Sequence, residues 1–318
     1  MKIIKKIHQM SVRVFAKGEC IENKLTWLSF IFIAFLSVSC LRLDDNLFNA
    51  DNSIENYQLD NYTGEVDFTL DDSYKIPESL IHLFQLTSDY NGDQKNIYAI
   101  YIGDIANIAT DTVIMYCHGN KDHMDFYWQR AKLLAHVGGK NRYGVLMIDY
   151  RGYGLSEGES SEQSIYADVH AALKWLEKQG LTNERFMMYG FSLGSAPTCQ
   201  LTANPTCLVP SKVILEAPFA SAEVMVQDAS GLSLPASYFT NYTIDNAEEI
   251  KKISQPLMWL HGTNDNFLNI KTHGEVVYKN HSGTSKNAQR ISGADHGDVP
   301  LVMGFTAYTD SIAGFIQD

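Results

Sequence analysis

Eight short apolar runs constrain this chain more than any other feature. They are Leu83–Thr87, Asn96–Ile102, Thr112–Cys117, Gly144–Asp149, Arg185–Gly190, Lys212–Glu216, Leu257–His261 and Ala288–Ser292. Several are apolar on both faces, which is what a strand covered on both sides of a parallel sheet requires. Stretches with helical spacing lie between them: Asp125–Val137, 161–178, Leu193–Ala203, Ile270–Lys279 and Leu301–Ile316. The clearest is 161–178. There Ser160 and Gln163 read as a capping box, Ile165, Val169, Leu173 and Leu176 share one face, and Gly180 follows the end. This alternation predicts one doubly wound α/β domain whose mostly parallel, eight-stranded sheet is flanked by helices. The stretch 221–250 mixes Ser, Pro, Tyr and Asn and is longer than a usual connection, so it is expected to form a short cap.

Composition excludes some roles at once. Of 318 residues, 45% are hydrophobic and 19% charged, which suits a sizeable core. Lysine and arginine number 25 against 37 acids, a net charge of −12. Nucleic acid is excluded as a partner on this ground, because affinity for phosphates comes mainly from lysine and arginine. No internal repeat, glycine-rich phosphate loop or zinc-like ligand spacing is visible.

The N-terminus has its own pattern. Residues 1–39 carry Lys2, Lys5, Lys6, Arg13, Lys17 and Lys24, then the uncharged run Leu25–Ser39 and Cys40. A basic segment, an apolar segment and small residues before a cleavage point form a secretory signal. Leu36-Ser-Val-Ser-Cys40 resembles a bacterial lipobox, in which Cys40 takes lipid. The uncharged run between Lys24 and Arg42 is also just long enough for an uncleaved signal anchor. Both readings predict an exported, membrane-anchored protein, and the lipobox reading makes it a bacterial lipoprotein facing the periplasm or cell surface. The expected organisation is a signal over 1–39, a tether over 40–65, rich in Asn, Asp and Tyr, and the folded domain over 66–318. Of the remaining cysteines, Cys117 sits inside an apolar run, while Cys199 and Cys207 either pair in an oxidising compartment or stay free.

Gly190-Phe-Ser192-Leu-Gly194 follows an apolar strand and opens a helix. A serine at so sharp a turn presents its hydroxyl to solvent, and the glycines remove side chains that would clash. A serine hydroxyl is a weak nucleophile and needs a base that an acid holds in place. His261, His273, His281 and His296 lie downstream of Ser192. His296, in Gly293-Ala-Asp-His-Gly-Asp298, sits on a loop after the last strand and is the expected base. His261 ends a strand and reads as structural. Asp265, on the loop after the preceding strand, is the expected acid, and Glu216 is the alternative. Asp295 and Asp298 read as loop caps. An oxyanion needs two N–H donors. They are expected from Leu193 and, on the loop after Cys117-His-Gly, from Asn120, with His118 shaping that loop.

These motifs, together with Asp149-Tyr-Arg-Gly-Tyr-Gly-Leu-Ser-Glu-Gly158 and Asp168-Val-His-Ala-Ala-Leu-Lys-Trp-Leu176, resemble the α/β-hydrolase superfamily from about residue 80 to the C-terminus. The Asp149-Tyr-Arg-Gly-Tyr-Gly stretch and the Asp168–Leu176 stretch are most similar to the Bem46 and alpha/beta-hydrolase-domain 13 and 17 group. The resemblance implies Ser192, Asp265 and His296 as a triad, with Asp149 and Arg151 holding a loop in place. It departs where Lys121-Asp-His-Met follows His-Gly-Asn, since small residues usually stand there. The implied activity is serine hydrolysis of a small-molecule or lipid-like acyl substrate, with no metal or organic cofactor. Bem46-like relatives are described as serine aminopeptidase S33-type hydrolases, and the domain-17 relatives cleave acyl thioesters. Ester or thioester cleavage is the expected reaction; an aminopeptidase-type amide hydrolase and a non-catalytic binding module are the alternatives. Phe219, Met225, Leu232, Leu234, Tyr238 and Phe239, with Glu223 and Asp228, are expected to line an apolar, mildly acidic cap that favours neutral acyl groups.

Overall fold

Residues 48–230 and 240–318 are described by the computed structural model. The signal-like segment 1–39, Cys40 and the cap residues Leu232, Leu234, Tyr238 and Phe239 lie outside them. All eight expected strands are present, four of them with longer bounds. In chain order the strands are β1 (Asn49–Ala50), β2 (Ile81–Tyr90), β3 (Asp93–Ile102), β4 (Val113–Cys117), β5 (Lys121–Asp122), β6 (Gly144–Ile148), β7 (Phe186–Phe191), β8 (Lys212–Glu216), β9 (Leu257–Gly262) and β10 (Lys286–Ile291). Eight of them form one sheet in the order β10-β9-β8-β7-β4-β6-β3-β2, and the short β1 and β5 pair in parallel with each other. Asn91 and Gly92, both at positive φ, make the tight turn that returns β2 onto β3. β3 also runs antiparallel to β6, and every pairing from β6 to β10 is parallel.

The parallel strands explain the apolar runs. Every residue of β4, β6, β7 and β9 is buried, because helices cover both faces. On one face lie α1 (Met124–Ala135) and, at the C-terminus, a helix that the sequence read as continuous. On the other lies α2 (Glu162–Lys178), whose Ile165, Val169, Leu173 and Leu176 are buried on the sheet as their spacing predicted. Its capping box is one residue later than expected. Ser161 and Ser164 exchange the two capping hydrogen bonds, while the Ser160 hydroxyl donates to the Arg151 carbonyl instead. The remaining helices are α3 (Ser195–Ala203), α4 (Ala222–Ser230), α5 (Asn246–Glu249), α6 (Gly274–Asn280), α7 (Val299–Met303) and α8 (Phe305–Gln317). α7 and α8 divide the expected Leu301–Ile316 helix at Gly304, whose φ of 85° no helix accommodates.

The expected tether requires correction. Residues 48–65 are docked on the domain. β1 pairs with β5, the Gln58 and Leu59 N–H groups donate to the buried Asp125 carboxylate, and Trp128 and Lys132 donate to Asp60. Tyr57 donates to Asp149 at 2.7 Å. Hydrogen bonds and ion pairs, beside scattered apolar contacts from Phe48, Ala50, Tyr57 and Leu59, dock this arm, which is why no hydrophobic period announced it. Among the described residues no helix is long and apolar enough to cross a membrane. Cys199 and Cys207 are free thiols, the first buried and the second half-buried.

Leu173 is 2% exposed under α2. Leu173→Ala should therefore lower unfolding stability by about 2–5 kcal/mol, read from the urea midpoint at unchanged slope. A loss below about 1 kcal/mol would contradict this packing.

Candidate active site

The parallel strands β4, β7, β9 and β10 all point their carboxyl ends the same way, so their following loops gather along one edge of the sheet. β7 ends at Phe191 and passes through a single tight turn, Ser192–Gly194, directly into α3. Ser192 holds φ at +50°, a conformation that costs a non-glycine residue about 1–3 kcal/mol and persists only where packing enforces it. The two glycines allow that enforcement. A Cβ at Gly194 would run into the Cys117 carbonyl, and one at Gly190 would press on the Gly194 carbonyl and the Thr198 hydroxyl.

The three residues expected from sequence come together. His296 Nε2 lies 2.9 Å from Ser192 Oγ, and Nδ1 lies 2.8 Å from Asp265 Oδ2. A carboxylate only accepts, so Nδ1 carries the proton and Nε2 accepts from the serine hydroxyl. Asp265 is held on its other oxygen by the Phe267 and Leu268 N–H groups at 2.9 and 2.7 Å. Burial works against its charge, but hydrogen bonds from His261 and His296 and the turn amides outweigh it, leaving the carboxyl well below the ordinary carboxylate range. His261 Nε2 stands 3.1 Å from Asp265 Oδ2 and 3.0 Å from the Leu268 carbonyl. The strand-end histidine read as structural thus supports the acid directly.

Leu193, buried, opens the turn after Ser192, and Asn120 sits on the loop after β4. The Asn120 side-chain oxygen accepts from the Asn49 N–H at 2.9 Å and from Tyr153 Oη at 2.6 Å. His118 shapes that loop as expected. It is fully buried, bonded to the Gly119 carbonyl, 3.2 Å from Asp149 and packed on the rings of Tyr127 and Tyr150. Arg151 is anchored by Asp168 and Ser88, which fixes the loop after β6. Asp295 accepts from the Asn266 and His296 N–H groups, and Asp298 from that of Asp295, so both cap the histidine loop.

Glu216, the alternative acid, is committed elsewhere. Its carboxylate accepts from Arg130 at 3.0 Å, from Tyr308 at 2.8 Å and from Tyr189. Sequence reasoning missed Arg130. This buried guanidinium also donates to the Gly297 carbonyl at 2.8 Å and to Asp67 at 3.1 Å, and lies 4.1 Å over the Phe191 ring. Its signal was a cation among the apolar residues of α1. Of the expected cap, Phe219 is buried, Glu223 is exposed and Asp228 accepts from Thr272. Among the described residues no group of three or more His, Cys, Asp or Glu is placed to hold a metal ion.

Comparison with known proteins agrees with this fold. A family model for the α/β hydrolase fold matches residues 112–234, a span that includes Asn120 and Ser192. An esterase of Pyrococcus furiosus superposes with a TM-score of 0.62 at 14% identity, covering 85% of this chain and 98% of that one. The esterase RhEst1 from Rhodococcus sp. gives 0.53 at 19% identity over 74% and 98%. The chain therefore has the α/β-hydrolase fold. It is, more narrowly, a distant relative of the alpha/beta hydrolase domain-containing 17 proteins. The 17C protein of Xenopus tropicalis is 28% identical over 208 residues, 64% of this chain and 61% of its own length. The human 17C protein is 28% identical over 208 residues, spanning 57% of its own length. The match thus covers about three fifths of these relatives.

Because the Asp265 carboxyl is held below its ordinary value of 3.8, it contributes stability above that pH and loses it as pH falls. The stability difference between wild type and Asp265→Asn should be largest above pH ~4 and shrink on further acidification, as followed by urea midpoints. A difference that grows below that pH would contradict the assignment.

Proposed function

We propose that this chain is a serine hydrolase that cleaves carboxylic ester or thioester bonds through an acyl-enzyme. The observation that carries the reading is the continuous hydrogen-bonded line from Ser192 Oγ through the His296 ring to the buried Asp265. In this reading Ser192 Oγ attacks the acyl carbonyl while its proton passes to His296 Nε2. Asp265 orients the ring and stabilises the imidazolium. The N–H groups of Leu193 and Asn120 receive the oxyanion. Collapse expels the leaving group with the proton from Nε2, and a water activated by the same nitrogen releases the acid. The esterases that share the fold support an ester substrate over an amide, and the chemistry needs no cofactor.

Ser192→Ala and His296→Ala should each lower kcat by about 10³-fold or more, with Asp265→Asn less damaging than either. Fluorophosphonate should label wild type and not Ser192→Ala. Near-normal turnover in Ser192→Ala would overturn the assignment.

The N-terminal sequence pattern supports export and lipid anchoring through Cys40. In a bacterial host, wild type should incorporate radiolabelled palmitate and Cys40→Ser should not. Absence of label on wild type would leave the signal-anchor reading in its place.

A further inference from the structure

His296 lies between two phenylalanine rings with opposite environments. Phe191 packs 5.3 Å from the imidazole and is 3% exposed. Phe267 meets the imidazole edge-on at 5.1 Å and is 62% exposed. A single exposed hydrophobic side chain is ordinary on a protein surface, so exposure alone carries no weight. Position does. Among the described residues the large hydrophobic side chains left exposed are Leu83, Phe267, Leu301 and Val302. Phe267 follows Asp265 by two positions, and Leu301 and Val302 lie on the helix that follows the His296 loop. The local turn does not need the Phe267 ring, because its backbone N–H makes the bond to Asp265 Oδ1. The ring is therefore free for contact with something that arrives beside His296.

We propose that Phe267 forms the wall of a leaving-group subsite, which selects flat or apolar leaving groups that are neutral or cationic. The proposal rests on the hydrolase reading and follows from its proton path. During acylation the bond from Ser192 Oγ to the acyl carbon forms and the Oγ proton moves to His296 Nε2. On collapse the bond from carbon to the leaving atom breaks, the electron pair goes to that atom, and it takes the proton from Nε2. The leaving atom must then lie within hydrogen-bond reach of Nε2. In the proposed subsite its substituent lies beside the imidazole, against the exposed Phe267 ring that meets His296 at 5.1 Å. The acyl half stays on Ser192 after the leaving group departs, so acetyl-enzyme breakdown reads the acyl side separately. The charged side chains of the histidine loop are both carboxylates, with Asp295 exposed and Asp298 partly so. They raise the energy of an anionic leaving group and lower that of a cationic one. A thioester of a polyphosphorylated carrier is thus a poor substrate compared with one of a neutral thiol.

The test uses two acetyl esters that give the same acetyl-enzyme: phenyl acetate, and the acetate of a compact fluoroalkyl alcohol of similar acidity. In the full chain, Phe267→Ala should lower kcat/KM for phenyl acetate about five- to tenfold, as expected for loss of one aromatic contact, and change the fluoroalkyl ester less than about twofold. The rate of acetyl-enzyme breakdown should be unchanged. For wild type, a carboxylate on the phenyl ring should lower kcat/KM, and a trimethylammonium group should not. An equal loss on both esters, or slowed acetyl-enzyme breakdown, would show that Phe267 supports the histidine and would overturn the subsite. If no acetyl-enzyme forms on Ser192 with either ester, the hydrolase reading itself fails, a result distinct from both.

Discussion

The rest of the site depends on one buried charge, the carboxylate of Asp265. Removed from water, it persists because hydrogen bonds surround it: two turn amides on one oxygen, His296 and the nearby His261 on the other. That arrangement decides which His296 nitrogen carries the proton, and so leaves Nε2 free to accept from Ser192. The serine is held just as firmly from the other direction. Its positive φ is imposed by the turn between β7 and α3, where glycines let the chain come against the Cys117 carbonyl. Each group is thus held by contacts of its own, the acid by its hydrogen bonds and the serine by its turn.

A second buried carboxylate shows how the same edge of the sheet is kept unambiguous. Glu216 ends β8 between the strands that lead to Ser192 and Asp265, yet Arg130, Tyr189 and Tyr308 use its acceptor capacity. Breaking that pair on one side would strand a charge in the interior at a cost of about 3–5 kcal/mol. Arg130 also holds the Gly297 carbonyl beside His296 and lies over Phe191 beside Ser192. The ion pair therefore braces the loops on both sides of the reacting atoms. Asp67 adds a second carboxylate to Arg130, and the N-terminal arm reaches the loop after β4, where the Asn49 N–H donates to the Asn120 side-chain oxygen.

Much of this was legible in the sequence because buried parallel strands leave a simple trace. Apolar runs, several of them apolar on both faces, placed all eight main strands, and the glycines around Ser192, with the order serine, acid, histidine, placed the three residues of the hydrogen-bonded line. What escaped was held by polar contacts. The arm over 48–65 docks through Asp60, Asp125 and Asp149, and such bonds have no sequence period. Arg130 looked like a cation on a helix, and only the fold brings it to Glu216, 86 residues away. The α2 cap slipped by one residue because consecutive serines offer the same oxygen, and Ser160 was taken by the Arg151 carbonyl.

Turnover through an acyl-enzyme requires that Ser192 become covalently acylated. Rapid acid quench of the full chain with p-nitrophenyl acetate, followed by intact and peptide mass analysis, measures this directly. One acetyl group should be added in the first turnover, confined to the peptide containing Ser192 and formed in step with the burst of nitrophenolate. Hydrolysis of the ester with no acetyl group on Ser192, or with acetyl on another residue of the site, would contradict it.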